Sequence, residues 1–188
     1  MTRQGSVLRT ALVVEVPEVE PAVGDIRRDL DPMAGRGVPP HVTVLFPFVP
    51  LDQLDATIVA RLESIFRQAA PFEHCLVGTQ WFGDKVLWLA SDADVQLRGL
   101  IDLVVVEFPA YQPYGGEHAE VVPHLTIADH APLDAMRSAA TEVDARLPIC
   151  VVTTSVALLT EQPSGDWILE RRFGLGQGVR TARRPLVD

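Results

Sequence analysis

Apolar positions in this chain follow two periods, and the order in which the periods alternate occurs twice. Residues 11–16 form a Val- and Leu-rich run that predicts a strand. Val19, Val23, Ile26 and Leu30 then recur at helical spacing, so residues 19–30 predict a helix. A loop rich in proline and glycine follows (Pro32, Gly35, Gly37, Pro39, Pro40). After it comes a strand over 41–46, ended by Pro47 and Pro50. Leu54, Ile58, Leu62 and Ile65 stripe an amphipathic helix over 52–68. Residues 72–79 and 85–90 predict a hairpin around Gly83 and Asp84.

The second half runs through the same order. Residues 85–90 serve as its opening strand. Leu97, Leu100, Ile101, Val104 and Val105 mark a helix over 95–108. Pro113, Gly115, Gly116 and Pro123 mark the loop, and 124–128 the next strand. A helix over 133–147 stops before Pro148, and strands over 149–159 and 167–173 close a hairpin around Pro163, Ser164 and Gly165. The pattern predicts an internal duplication, its halves near 8–90 and 85–175 and related by a pseudo-twofold axis. A flexible C-terminal tail is expected over 176–188.

Composition narrows the class. The chain has 188 residues, 47% hydrophobic and 22% charged, as expected of a globular domain. The net charge of −9 argues against a surface built for duplex nucleic acid. No apolar run has the length of a membrane span. The N-terminal residues lead into a strand without a leader-like cleavage pattern, so a cytoplasmic protein is expected; a monomer is expected as well. Cys75 and Cys150 both lie in apolar stretches and are expected as two buried thiols rather than a disulfide. Arg171, Arg172, Arg180, Arg183 and Arg184 form a basic cluster, of which Arg171 and Arg172 are candidate phosphate contacts.

Two short patterns stand at matching points of the repeat: Pro40-His41-Val42-Thr43 and Pro123-His124-Leu125-Thr126. Residues i and i+2 of a strand share a face, so each pattern aims an imidazole and a hydroxyl the same way. With the motif strands side by side, His41, Thr43, His124 and Thr126 converge on one cleft. Tyr114, in its glycine-rich loop, is a candidate substrate contact. His74, His118 and His130 lack partners at informative spacing and read as structural or solvent-facing. Trp81, Trp88 and Trp167 read as core or sheet-face residues. Lys85 reads as a surface residue and Gly115-Gly116 as a turn. No metal-ligand spacing such as His-Glu-x-x-His occurs.

The runs Pro40-His41-Val42-Thr43-Val44-Leu45-Phe46-Pro47-Phe48 and Pro123-His124-Leu125-Thr126-Ile127-Ala128, with Tyr111-Gln112-Pro113-Tyr114-Gly115-Gly116 before the second, resemble the 2H phosphoesterase superfamily. Within it, they resemble the 2'-5' RNA ligase-like (RNA 2',3'-cyclic phosphodiesterase-like) branch. The resemblance implies an α+β fold, one bilobal domain over 1–175 with antiparallel sheets facing a central cleft and helices outside. It also implies His41, Thr43, His124 and Thr126 as the catalytic set. Some RNA-processing relatives carry a basic residue shortly after the second threonine, where this chain has Asp129 and His130.

The expected activity is a phosphoesterase acting on a 2',3'-cyclic phosphate or a 2'-5' phosphodiester of an RNA end or small nucleotide, by paired-histidine acid–base catalysis. By analogy His124 is the base and His41 the acid, with no metal or other cofactor in the scheme. The acidic balance favours small substrates. The rival expectations are a nucleotide- or RNA-binding protein that turns over poorly in the same cleft, and a metal-dependent hydrolase.

Overall fold

Strand parity and helix stripes sort the chain into a layer of helices packed on a sheet. The computed structural model describes residues 7–116 and 121–176. In chain order the elements are β1 (Thr10–Glu15), α1 (Glu20–Leu30), β2 (His41–Leu45), α2 (Ala56–Phe66), β3 (Phe72–Phe82), β4 (Val86–Ser91), α3 (Asp94–Glu107), β5 (Leu125–Asp129), α4 (Leu133–Asp144), β6 (Ile149–Thr153), β7 (Ser155–Glu161) and β8 (Trp167–Gly174). Of the tail expected over 176–188, residues 177–188 lie outside the described residues, as does His118. No helix among the described residues is long and apolar enough to cross a membrane.

All eight strands join one curled antiparallel sheet in the order β6-β3-β4-β5-β2-β1-β7-β8. The α+β class and the antiparallel lobes are as the sequence predicts. The two lobes meet where β2 pairs with β5 through Val42 and Leu125. The lobes of the sheet are not the two sequence halves. β3, which closes the first half, pairs with β4, and β7, which closes the second, pairs with β1. Helices cross over as well: α1 packs on β5 and α3 on β2. This exchange ties the halves into one unit.

Two expected elements differ. The strand expected over 149–159 is two strands, β6 beside β3 and β7 beside β1, separated at Thr154. Its apolar pattern runs on across the break, so nothing local marks the change of sheet position. The helix expected from residue 52 starts at Ala56. Asp55 caps it by accepting the Ile58 N–H at 2.8 Å, while Leu51–Gln53 form a separate short turn.

The main core lies between the sheet and the helices and includes Leu12, Val14, Val42, Val44, Leu62, Phe66, Leu89, Leu100, Val104, Leu125 and Ile127. A smaller cluster of Ala11, Val13, Val38, Ala157, Leu159 and Trp167 forms separately. Alternate residues of β1, Leu12 and Val14 against Ala11 and Val13, belong to different clusters, so the two clusters occupy opposite sheet faces.

The expectation of two buried thiols fails. Cys75 on β3 and Cys150 on β6 face each other and are joined as a disulfide. Their neighbours His74, Leu76 and Val151 are buried. The period of two therefore turns both cysteines outward, where Cys150 is exposed. His74 is structural as expected, buried and hydrogen-bonded to Ser91 Oγ (2.8 Å) and Thr153 Oγ1 (3.0 Å). Trp88 and Trp167 are core residues, as expected.

Candidate active site

The middle of the sheet sets the site. Val42 and Leu125, opposite each other on β2 and β5, point into the main core. Their sequence neighbours therefore point away from it. Extending the antiparallel register by one residue on each side sets His41 against Thr126 and Thr43 against His124. Each histidine faces the threonine of the other motif, about an axis through the Val42–Leu125 pair.

Both rings are anchored in the same way. The carbonyl of Pro39 accepts a hydrogen bond from His41 Nδ1 at 2.7 Å, and that of Val122 accepts one from His124 Nδ1 at 2.7 Å. A carbonyl oxygen only accepts, so Nδ1 carries the proton and, in the neutral ring, Nε2 presents a lone pair. Both carbonyls belong to the residue before a proline (Pro40, Pro123), whose ring restricts that residue to extended conformations. The Pro-His pairs are thus part of the site. The prolines were visible in the sequence, but their effect on the ring tautomer was not.

His41, Thr43, His124, Thr126 and Tyr114 line one cleft of about 700 Å³ together with Asp31, Met33, Phe82, Asp129 and His130. The structure thus brings all five sequence-predicted site residues together. Tyr114 has a left-handed backbone (φ 52°), and its N–H donates to the Phe46 carbonyl at 2.6 Å. Its hydroxyl is hydrogen-bonded to Thr43. Phe82 and Trp88 stack at 4.8 Å and meet the His124 ring edge-to-face at 4.9 and 5.8 Å. A pocket of about 200 Å³ adjoins His41 and Thr43, walled by Met33, Val38, Phe46 and Trp167.

Burial dominates the electrostatics. It pushes His41 down to about 4, helped by the charge of Arg27 and by His124, and opposed by the bond to Pro39 and by Asp31. His124 is also lowered by burial, against the bond to Val122. The Tyr114 hydroxyl is raised by burial, which its bond to Thr43 opposes. Both imidazoles are therefore neutral at neutral pH.

Sequence reasoning missed the Arg27–Asp31 pair. It is buried, with Arg27 Nη2 donating to Asp31 Oδ2 at 2.8 Å, and it acts electrostatically on His41. The i,i+4 spacing at the end of α1 was the available signal. His130, which the sequence reads as structural or solvent-facing, is exposed but also lines the cleft. Arg171 and Arg172 do not reach it: Arg171 pairs with Glu63, and Arg172 with Glu15 at 2.6 Å. Among the described residues no three His, Cys, Asp or Glu side chains gather into a set able to hold a metal ion.

Residues 15–164 match the model of the 2'-5' RNA ligase superfamily, over most of the chain. The chain belongs to this superfamily of 2H phosphoesterases. No curated protein matched the chain. Among solved structures, TT0787 of Thermus thermophilus is similar at 23% identity and TM-score 0.62, covering 91% of this chain and 99% of that one. The apo form of E. coli LigT is similar at 19% identity and TM-score 0.57, covering 90% and 98%. LigT complexed with 3'-AMP gives 16% and 0.56, covering 90% and 99%. At these identities the likeness is one of fold. In this 2'-5' RNA ligase superfamily member the two His-x-Thr motifs occupy the strands at the sheet centre, where the lobes meet.

Proposed function

We propose that this 2H phosphoesterase superfamily member hydrolyses 2',3'-cyclic phosphates or 2'-5' phosphodiesters of RNA ends or small nucleotides, and that it can run the ligation in reverse. The observation that carries this reading is the matched pair of imidazoles, each with Nδ1–H held by a carbonyl and each opposite the other motif's threonine.

Cleavage needs a base for the attacking oxygen and an acid for the departing one, on opposite sides of phosphorus. His124, kept neutral by burial, takes the proton from water through Nε2. His41 gives a proton to the leaving ribose oxygen. Burial keeps His41 neutral until the substrate arrives. A phosphate anion between the rings then offsets the cost of charging one of them, so the acid is made when substrate binds. The Thr43 and Thr126 hydroxyls donate to the non-bridging oxygens, where negative charge accumulates. Tyr114 holds Thr43 in position and walls the substrate. Because acid and base exchange roles in the reverse direction, one site serves hydrolysis and ligation.

The test is incubation with a panel of 2',3'-cyclic mononucleotides and 2'-5' linked dinucleotides in the presence of EDTA. Turnover that persists with chelator and is lost in His41→Ala and His124→Ala is the expected result. Binding without turnover would instead support a nucleotide-binding protein, and loss of activity with chelator a metal-dependent hydrolase.

A further inference from the structure

The cleft presents a charge problem to any phosphate ligand. Its described lining contains two carboxylates, Asp31 and Asp129, and no lysine or arginine. Arg27 neutralises Asp31 in their buried pair. His41 and His124 are held neutral by burial. Asp129 therefore remains as the carboxylate that an entering anion would meet.

His130 covers that carboxylate. Its Nδ1 lies 2.6 Å from Asp129 Oδ1, and since the carboxylate only accepts, Nδ1 carries the proton. The side chain is 66% exposed and lines the cleft, and Nε2 is the ring nitrogen not bound to Asp129. The backbone fixes this placement. His130 has a left-handed conformation (φ 52°), and its N–H donates to the Lys85 carbonyl at 2.7 Å. Among the described residues, Tyr114 and His130 are the non-glycine residues with positive φ, and both line the cleft. Side-chain-bearing residues are rare in this region and concentrate at functional sites.

We infer that His130, oriented by Asp129, is a substrate-recognition residue that binds a phosphate oxygen of the ligand through Nε2–H as the imidazolium. The inference rests on the phosphoester reading of the cleft. With its Nδ1–H given to Asp129, the neutral ring offers a phosphate only a lone pair, whereas the protonated ring offers a donor and a charge. Proton uptake by the ring is therefore coupled to anion binding. The titratable groups that line the cleft with the ring are Asp129 on β5, His124, His41, Asp31 and Tyr114, while Lys85, in the turn between β3 and β4, meets His130 through its backbone carbonyl.

The test uses the full chain with His130→Asn, since asparagine also tolerates the left-handed backbone, and with His130→Lys. Calorimetry with a nucleoside 3'-monophosphate and with inorganic phosphate at pH 6 and pH 8 reads recognition without requiring turnover. His130→Asn is expected to weaken monophosphate binding roughly tenfold at pH 6, as for loss of one charge-assisted hydrogen bond, and to flatten its pH dependence. His130→Lys is expected to bind well at pH 8 also. In turnover assays the loss should fall on KM more than on kcat.

Unchanged affinity in His130→Asn at both pH values would overturn the role. So would a collapse of kcat at constant KM, which would mean that the ring serves chemistry or folding. Wild-type protein that binds the monophosphate without opening any cyclic phosphate would overturn the proposed reaction alone, and the His130→Asn comparison would still decide this residue. Wild-type protein that binds neither probe would overturn both.

Discussion

Val42 and Leu125 stand opposite each other where the two lobes of the sheet join. Both are buried in the main core, so their motif neighbours turn out together on the other face. The pair is at once the joint between the lobes and the axis of the site. Leu125→Ala is expected to cost about 2–5 kcal/mol of stability, as buried leucine truncations do. It should also lower kcat by loosening the register of the motifs. Urea unfolding alongside single-turnover rates would check both effects.

His41 and His124 are expected to act as one unit. Either alanine variant should lower kcat/KM by about 10²–10⁴. The double variant should be little worse than the weaker single one, because removing one partner already disables the pair. Full turnover by either single variant would refute the pairing.

Thr43 and Tyr114 share a hydrogen bond at the cleft wall. Thr43→Val should cut kcat by about 10²-fold, as for loss of one donor to developing charge. Tyr114→Phe leaves the threonine in place without its support, and a loss of about two- to tenfold is expected, the size of one neutral hydrogen bond. Equal effects of the two variants would place the tyrosine hydroxyl on the substrate itself.

The depressed His41 predicts acid sensitivity. Its folded value is about 4, against 6.5 for a free ring. Above about pH 6.5 neither folded nor unfolded chain protonates it, and it contributes nothing. Between about 6.5 and 4 the unfolded chain takes up the proton and the folded chain does not, so stability falls as pH falls. The loss is on the order of 2–3 kcal/mol by pH 4. In His41→Gln that part of the decline should vanish, which denaturation midpoints at pH 7.5 and 4.5 would show against wild type.

The Cys75–Cys150 bond joins β3 to the edge strand β6 and spans 75 positions of the chain. Reduction, or Cys75→Ser with Cys150→Ser, is expected to cost about 2–4 kcal/mol. Neither cysteine lines the cleft, so turnover at temperatures where the fold persists should be retained. Thermal melts with and without reductant would measure the effect.

Much of this was written along the chain. Hydrophobic periodicity marked the four helices and the repeat, and strand parity put His41 with Thr43 and His124 with Thr126. These are local properties: a period of two or 3.6 is set by backbone geometry and read from neighbouring residues. The exchange of strands and helices between halves was not local. β3 and β7 look alike in either lobe, and a partner on another strand leaves no mark on the sequence that recruits it. The same limit explains the cysteines, whose apolar neighbours suggested burial while their parity and the β3–β6 register turned them outward and together. It explains the depressed imidazoles, because burial depends on everything packed around a ring. It explains His130 too, since only the turn after β5 brings that exposed ring to the cleft. The sequence by itself determined which residues stand at matching points of the repeat and in what pairs they share a strand face. The tertiary structure decided which pairs face each other, in which protonation state, and what charge surrounds them, because these follow from contacts between residues far apart in the chain.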